Sequence, residues 1–264
     1  MFLKDFSKEK FDIIVQAGQS NSDGYAFGDV ENAFKPDNRV WYLTGDWQVP
    51  DNFHFEPAKE YIHFHYDNLI CGNFSLAFAR RYIEEGRLEP DRKLLILRNG
   101  VGGTGFLDNY WKPGDRLYVR MMNMIQTALE LNPENRLKAL LWHQGETDAL
   151  FFQASYDVHY KNLMDFVRTV RSTLGMPELP FIAGDFTEQW SEEHKDIVVP
   201  VVQAIRSVCR DAGIAAFVES TGLLSNAQDT VNNPNTDSIH FCRRAIYELG
   251  NRYYDAYVQL MTTG

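Results

Sequence analysis

The residues of this chain best suited to chemistry are a serine, a histidine and a carboxylate that lie far apart in sequence. Gly18-Gln19-Ser20-Asn21 follows an apolar run, and Asp237-Ser238-Ile239-His240 precedes the last amphipathic segment. A hydroxyl is a weak nucleophile until a base takes its proton, and His240 has a carboxylate at i−3 to orient it. With both on one turn, Asp237 can reach Nδ1 of His240 and leave Nε2 free for Ser20. Gly102 and Gly103 lack side chains where a backbone N–H must approach a carbonyl oxygen, and Gln144 carries an amide donor. Taken singly, Ser20 is an ordinary helix cap, the glycines a turn, and Asp237 with His240 a cap on the last helix. Taken together, they are the parts list of acyl transfer.

The elements that must position them are legible as five short, nearly continuous apolar runs: 11–17, 93–99, 137–144, 180–186 and 214–220. Runs of this kind are what strands covered on both faces look like. Between them lie segments of helical period: Leu117, Met121, Met124, Ala128; Tyr156 to Leu174; Val201, Ile205, Val208, Ala212; and Ile246 to Leu260. Alternation of strand and helix predicts a three-layer α/β/α sandwich on a five-stranded parallel sheet. Ligands in such sheets bind beyond the carboxyl ends of the strands, where the candidate residues fall. The segment from about 24 to 70, rich in Asn, Asp, Pro and aromatics, breaks the rhythm and reads as an elaborated loop with two short strands. No linker or repeat divides residues 1–264, so one domain is expected.

Composition narrows the partners. The chain has 264 residues, 44% hydrophobic and 23% charged, with a formal charge of −10 and pI near 5.2. That balance offers no basic stripe for nucleic acid or an anionic membrane surface. Apolar stretches stop short of the ~20 residues of a membrane helix, and the charged start MFLKDFSKEKFD is unlike a signal peptide, so a cytoplasmic protein is expected. Three cysteines (Cys71, Cys209, Cys242) cannot all pair and read as buried, reduced thiols.

In this order, GQSN, the GGT turn, HQGExD and DxxH resemble the SGNH hydrolases over the whole chain. The resemblance is nearest to the carbohydrate O-acetylesterase branch, which holds the acetylxylan esterases of carbohydrate esterase family 6 and the sialate O-acetylesterases. It implies a flavodoxin-like sandwich of strand order 2-1-3-4-5 and a site that needs no metal or other cofactor. Residue by residue, it makes Ser20 the nucleophile, His240 the base and Asp237 the acid. The oxyanion donors become the Ser20 N–H, the glycine of the second block (Gly103 in preference to Gly102) and the Gln144 side chain, where the wider superfamily has Asn. Glu146 is either an alternative acid or a tie between the first and third blocks. Ser20 lacks the glycine at +2 of an α/β-hydrolase elbow.

Three rival readings have their own residues. His63 and His65, with Asp67 and His54 nearby, could contribute to a metal site. An inactive carbohydrate-binding relative would keep the fold without turnover. A lipase or thioesterase would want a long apolar groove, whereas the 24–70 segment mixes aromatics with Asn, Asp and His. Tyr110 and Trp111 are candidates for the cleft wall. The expected substrate is an acetylated sugar or oligosaccharide, neutral ones standing ahead of sialic acids because of the acidic charge; a homo-oligomer is allowed.

Overall fold

The computed structural model describes residues 5–49, 51–63, 69–233 and 235–263. The five apolar runs become parallel strands: β1 (Lys10–Gly18), then β2 (Val40–Thr44), β3 (His54–Pro57), β4 (Tyr61–His63) and β5 (Leu69–Cys71) from the insertion, followed by β6 (Arg92–Gly100), β7 (Arg136–His143), β8 (Phe181–Gly184) and β9 (Ala215–Val218). The main sheet runs β3-β2-β6-β1-β7-β8-β9. The five predicted strands keep the order 2-1-3-4-5, but the sheet has seven strands, not five. The insertion supplies the extra two: β2 pairs parallel with β6, and β3 closes the edge antiparallel to β2. β4 and β5 form a separate two-stranded ribbon.

Strand pleating divides the core. On β1, Phe11, Ile13, Val15 and Ala17 face one layer, while Ile14 faces the other. Leu95 and Leu97 on β6 and Leu140 and Trp142 on β7 join the first face, and their neighbours Leu94, Ile96, Ala139 and Leu141 join the second. The first face is covered by α3 (Arg116–Glu130), α5 (Tyr156–Leu174) and α7 (Lys195–Asp211). The second is covered by α2 (Phe74–Glu84) and α8 (Arg243–Thr263). At the amino ends of the central strands, Arg92 Nε lies 2.7 Å from Asp12 Oδ1, with both side chains buried, and Tyr82 donates to the other carboxylate oxygen. A buried pair this well bonded registers β1 against β6 at the end away from the candidate site. Three short helices follow the carboxyl ends of strands, α1 (Ser20–Asp23) after β1, α4 (Glu146–Phe152) after β7 and α6 (Glu188–Glu193) after β8. Among the described residues no helix is long and apolar enough to cross a membrane.

Candidate active site

The Ser20 turn is built on Gly18. Its φ is +132°, and a Cβ there would fall 2.0 Å from the His143 carbonyl oxygen, so the end of β1 can close on β7 only as glycine. Gln19 N then donates to His143 O at 2.9 Å, and Val101 N to Gly18 O at 3.0 Å. Ser20 opens α1, where its N–H is one of the donors that a helix cannot satisfy internally. Buried polar groups brace the turn from below: Gln16 Nε2 donates to the Ser22 carbonyl, and Arg98 Nη2 holds both Asp23 O and Asp23 Oδ1.

His240 meets this turn from the far end of the chain. Its Nε2 lies 2.8 Å from Ser20 Oγ. Asp237 Oδ1 accepts from the His240 backbone N–H at 2.8 Å and stands 3.0 Å from Nδ1, an ion-pair distance somewhat off the line of the ring N–H. A carboxylate on that side favours the tautomer protonated at Nδ1, leaving Nε2 to accept from the hydroxyl. Burial alone would raise the Asp237 carboxyl, but His240 beside it, together with Asn226, holds it below the ordinary value. The Tyr25 ring stacks on the imidazole at 5.0 Å and 21°. Asn21 then clamps the two halves, donating to Ile239 O at 3.0 Å and accepting from Phe241 N at 3.1 Å.

Asn21 also donates to Glu146 Oε1 at 2.8 Å. Glu146 is therefore tied to the first block, while Asp237 is the carboxylate beside Nδ1 of His240. The Glu146 side chain is fully buried, Oε2 has no hydrogen-bond partner among the described residues, and burial pushes its carboxyl up to about 7 despite the Asn21 bond. With the folded value above the ordinary 4.5, the native protein binds this proton more readily than the unfolded chain. The group's contribution to stability is complete below about pH 4.5 and is lost as pH rises through about 7. Glu146→Gln keeps the acceptor for Asn21 and removes the charge. Its melting temperature should gain on the parent's by something on the order of 5 °C between pH 5 and pH 8. A difference independent of pH in a thermal-denaturation series would overturn this account of Glu146.

Gln144 is placed differently from its expected role. It is fully buried, and its Nε2 donates to Asp148 Oδ2 at 3.0 Å and Thr104 O at 3.3 Å. Asp148 in turn accepts from the Phe106 and Leu107 backbone N–H groups. The amide thus braces the wall behind the site instead of opening into it. Gln19 has a role the sequence did not suggest. Its Oε1 accepts from Thr147 N at 3.0 Å and Gly145 N at 3.4 Å, capping α4, whose own N-cap residue is a glycine with no side chain to offer.

Ser20, His240, Tyr25, Gly102, Gly103 and Glu146 open onto one pocket of about 220 Å³. Gly103 has φ +70° with nothing within 4 Å of where a Cβ would stand, whereas a Cβ on Gly102 would come within 3.5 Å of Ser20 Cβ. A larger hollow of about 760 Å³ lies between residues 31–39 and α2 but holds no nucleophile and base. Trp111 does not line the cleft: it is fully buried, its Nε1 donating to Thr104 Oγ1 at 3.0 Å. Tyr110 packs edge-on against Trp47 and is likewise outside the pocket lining. Of the rival metal ligands, His54 is exposed, the His63 backbone belongs to β4, and His65 and Asp67 lie outside the described residues. No group of three or more His, Cys, Asp or Glu side chains among the described residues is placed to hold a metal ion. The three cysteines are free and buried.

Residues 10–259 match the family model for carbohydrate esterases described as sialic acid-specific acetylesterases. The chain belongs to that family. A probable carbohydrate esterase of Arabidopsis thaliana, At4g34215, is 30% identical over 191 residues, 64% of this chain and 66% of that one. The match thus spans just under two thirds of that relative. Among solved structures, NanS superposes with a TM-score of 0.78 at 19% identity, covering 97% of this chain and 99% of the other. At4g34215 itself gives 0.69 at 19%, covering 94% and 98%. A carbohydrate acetylesterase from Xanthomonas citri, XAC1771, gives 0.63 at 14%, covering 96% of this chain and 57% of that one. At these identities the superpositions speak for the shared fold.

Proposed function

We propose that this carbohydrate esterase is a serine hydrolase of the SGNH type that removes O-acetyl groups through an acetyl-serine intermediate. The observation that carries the reading is the 2.8 Å contact between Ser20 Oγ and His240 Nε2, with Asp237 on the far side of the imidazole. His240 takes the hydroxyl proton as Ser20 Oγ attacks the acetyl carbonyl. The backbone N–H groups of Ser20 and Gly103 hold the oxyanion, on a wall that Gln144 stiffens through Asp148. His240 then gives the proton to the departing sugar oxygen, and the acetyl group stays on Oγ. Water, deprotonated by the same histidine, attacks the acetyl-enzyme and releases acetate.

A pocket of about 220 Å³ suits an acetyl group better than a long acyl chain. We place neutral acetylated saccharides, such as acetylated xylo-oligosaccharides, ahead of sialic acids. The Asp237 carboxylate stands behind the imidazole, and the chain carries a formal charge of −10; both disfavour an anionic sugar. The description of the matching family keeps sialate O-acetylesterase as the second reading.

Acetate release separates the two. The expected result is faster turnover of acetylated xylo-oligosaccharides than of O-acetyl sialic acids, with p-nitrophenyl acetate cleaved well ahead of p-nitrophenyl butyrate. Preference for the sialic acid would reverse the substrate order, and absence of acetate from every ester would end the esterase reading.

A further inference from the structure

We propose that the outward face of α4, centred on Phe151 with Leu150 beside it, is the platform for the pyranose ring of a neutral saccharide whose acetyl group reaches Ser20. The proposal rests on the esterase reading and names the part of the site that grips the sugar. Leu150 and Phe151 line the same pocket as Ser20 and His240. Phe151 is nevertheless 70% exposed, Leu150 37% and Phe152 43%. Three consecutive apolar side chains, the first two of them at the rim of a catalytic pocket, make an apolar patch that the fold itself leaves uncovered.

The helix cannot turn this face inward. Its N-terminus is capped by Gln19 Oε1 from the nucleophile turn itself. Its buried side carries Ala149 and Asp148, the latter bonded to the backbone of Phe106 and Leu107. Its end is set by Gln153 in the left-handed conformation, φ 46°. Phe151 is therefore held at a fixed place relative to Ser20.

The chemistry fits one class of occupant. A pyranose presents an apolar C–H face and an edge of hydroxyls, and an aromatic ring supplies a flat apolar partner of matching size. Asp237 behind the imidazole favours a ring without its own carboxylate.

The test compares an acetylated xylo-oligosaccharide with ethyl acetate, whose alcohol has no ring to lie on the platform. Phe151→Ala should raise KM for the oligosaccharide by about fivefold or more with kcat held within about twofold. Ethyl acetate turnover should stay unchanged, and Phe151→Trp should restore the oligosaccharide KM. Equal loss on both esters, an unchanged oligosaccharide KM, or conversion of a dimer to a monomer in light scattering would overturn the platform. The last of these would make the patch a self-association face. Xylotriose titrated by NMR into Ser20→Ala and into Ser20→Ala with Phe151→Ala tests binding without turnover: loss of binding in the double variant alone supports the platform even if the wild type cleaves no sugar ester. Equal binding by both, or by neither, overturns it.

Discussion

Replacing Ser20 with alanine should lower the rate of acetate release by about 10⁴-fold or more, while the protein remains folded. The reading makes Ser20 Oγ the atom that carries the acetyl group between the two half-reactions, and the Asn21, Gly18 and Gln19 contacts that shape its turn do not depend on the hydroxyl. Loss of one neutral hydrogen bond to His240 costs the fold only about 1 kcal/mol. His240→Ala should be as damaging, and the double variant hardly worse than either single one, because nucleophile and base act as a unit. The direct check is mass spectrometry of acid-quenched enzyme: the wild type should carry one added acetyl group on Ser20 and the variant none. Retention of a tenth of the activity by Ser20→Ala would remove it from the mechanism.

Asp237 and Glu146 should separate cleanly. Asp237→Ala is expected to lose about 10²- to 10⁴-fold in kcat, and Asp237→Asn nearly as much, since Asn can still accept from the His240 backbone but carries no charge to stabilise the imidazolium. Glu146→Gln should stay within about tenfold of the parent, because its contact is with Asn21 and glutamine preserves that acceptor. Among the described residues only Asp237 forms an ion-pair contact with Nδ1, at 3.0 Å. A near-normal Asp237→Ala beside a crippled Glu146→Gln would transfer the acid role to Glu146.

What the sequence disclosed and what it hid follow from the range of the interactions involved. The five central strands were legible because each is buried on both faces and so is apolar almost throughout. Ser20 stood out as a polar residue at the end of such a strand, and Asp237 and His240 as a carboxylate and imidazole at i, i+3 just before the last helix. Strands β2 and β3 were not counted into the sheet. They lie in an aromatic and polar stretch where Asn, Asp and Pro point to loop, and their strand character comes from pairing, β2 with β6 and β3 with β2. α4 escaped notice because its N-terminal cap, Gln19, lies 128 residues before the N–H it accepts from, and no local pattern records that. Trp111, a cleft-wall candidate because it follows the GGT turn, instead turns its indole N–H to Thr104 in the core. Tyr25 and Phe151 each lie five residues after a motif residue, Ser20 and Glu146, and that spacing is the one local hint that they border the pocket. The role of Gln144 turned on which way an amide faces, a matter decided by Asp148 and Thr104 and not by the HQGE string.

The bond from Asn21 to the backbone on either side of His240 has a temporal meaning. It joins residues up to 220 positions apart, so closing it carries one of the longest loop-closure costs in the chain. The Ser20 turn, braced by Gln16 and Arg98, belongs to the centre of the sheet, whereas His240 arrives only when the segment leading into α8 docks. During synthesis the ribosome must release everything from Ser20 to His240 before serine and histidine can meet. Esterase activity should therefore be among the last properties to return on refolding, behind the fluorescence change of the buried tryptophans, and turnover becomes a readout of completed assembly.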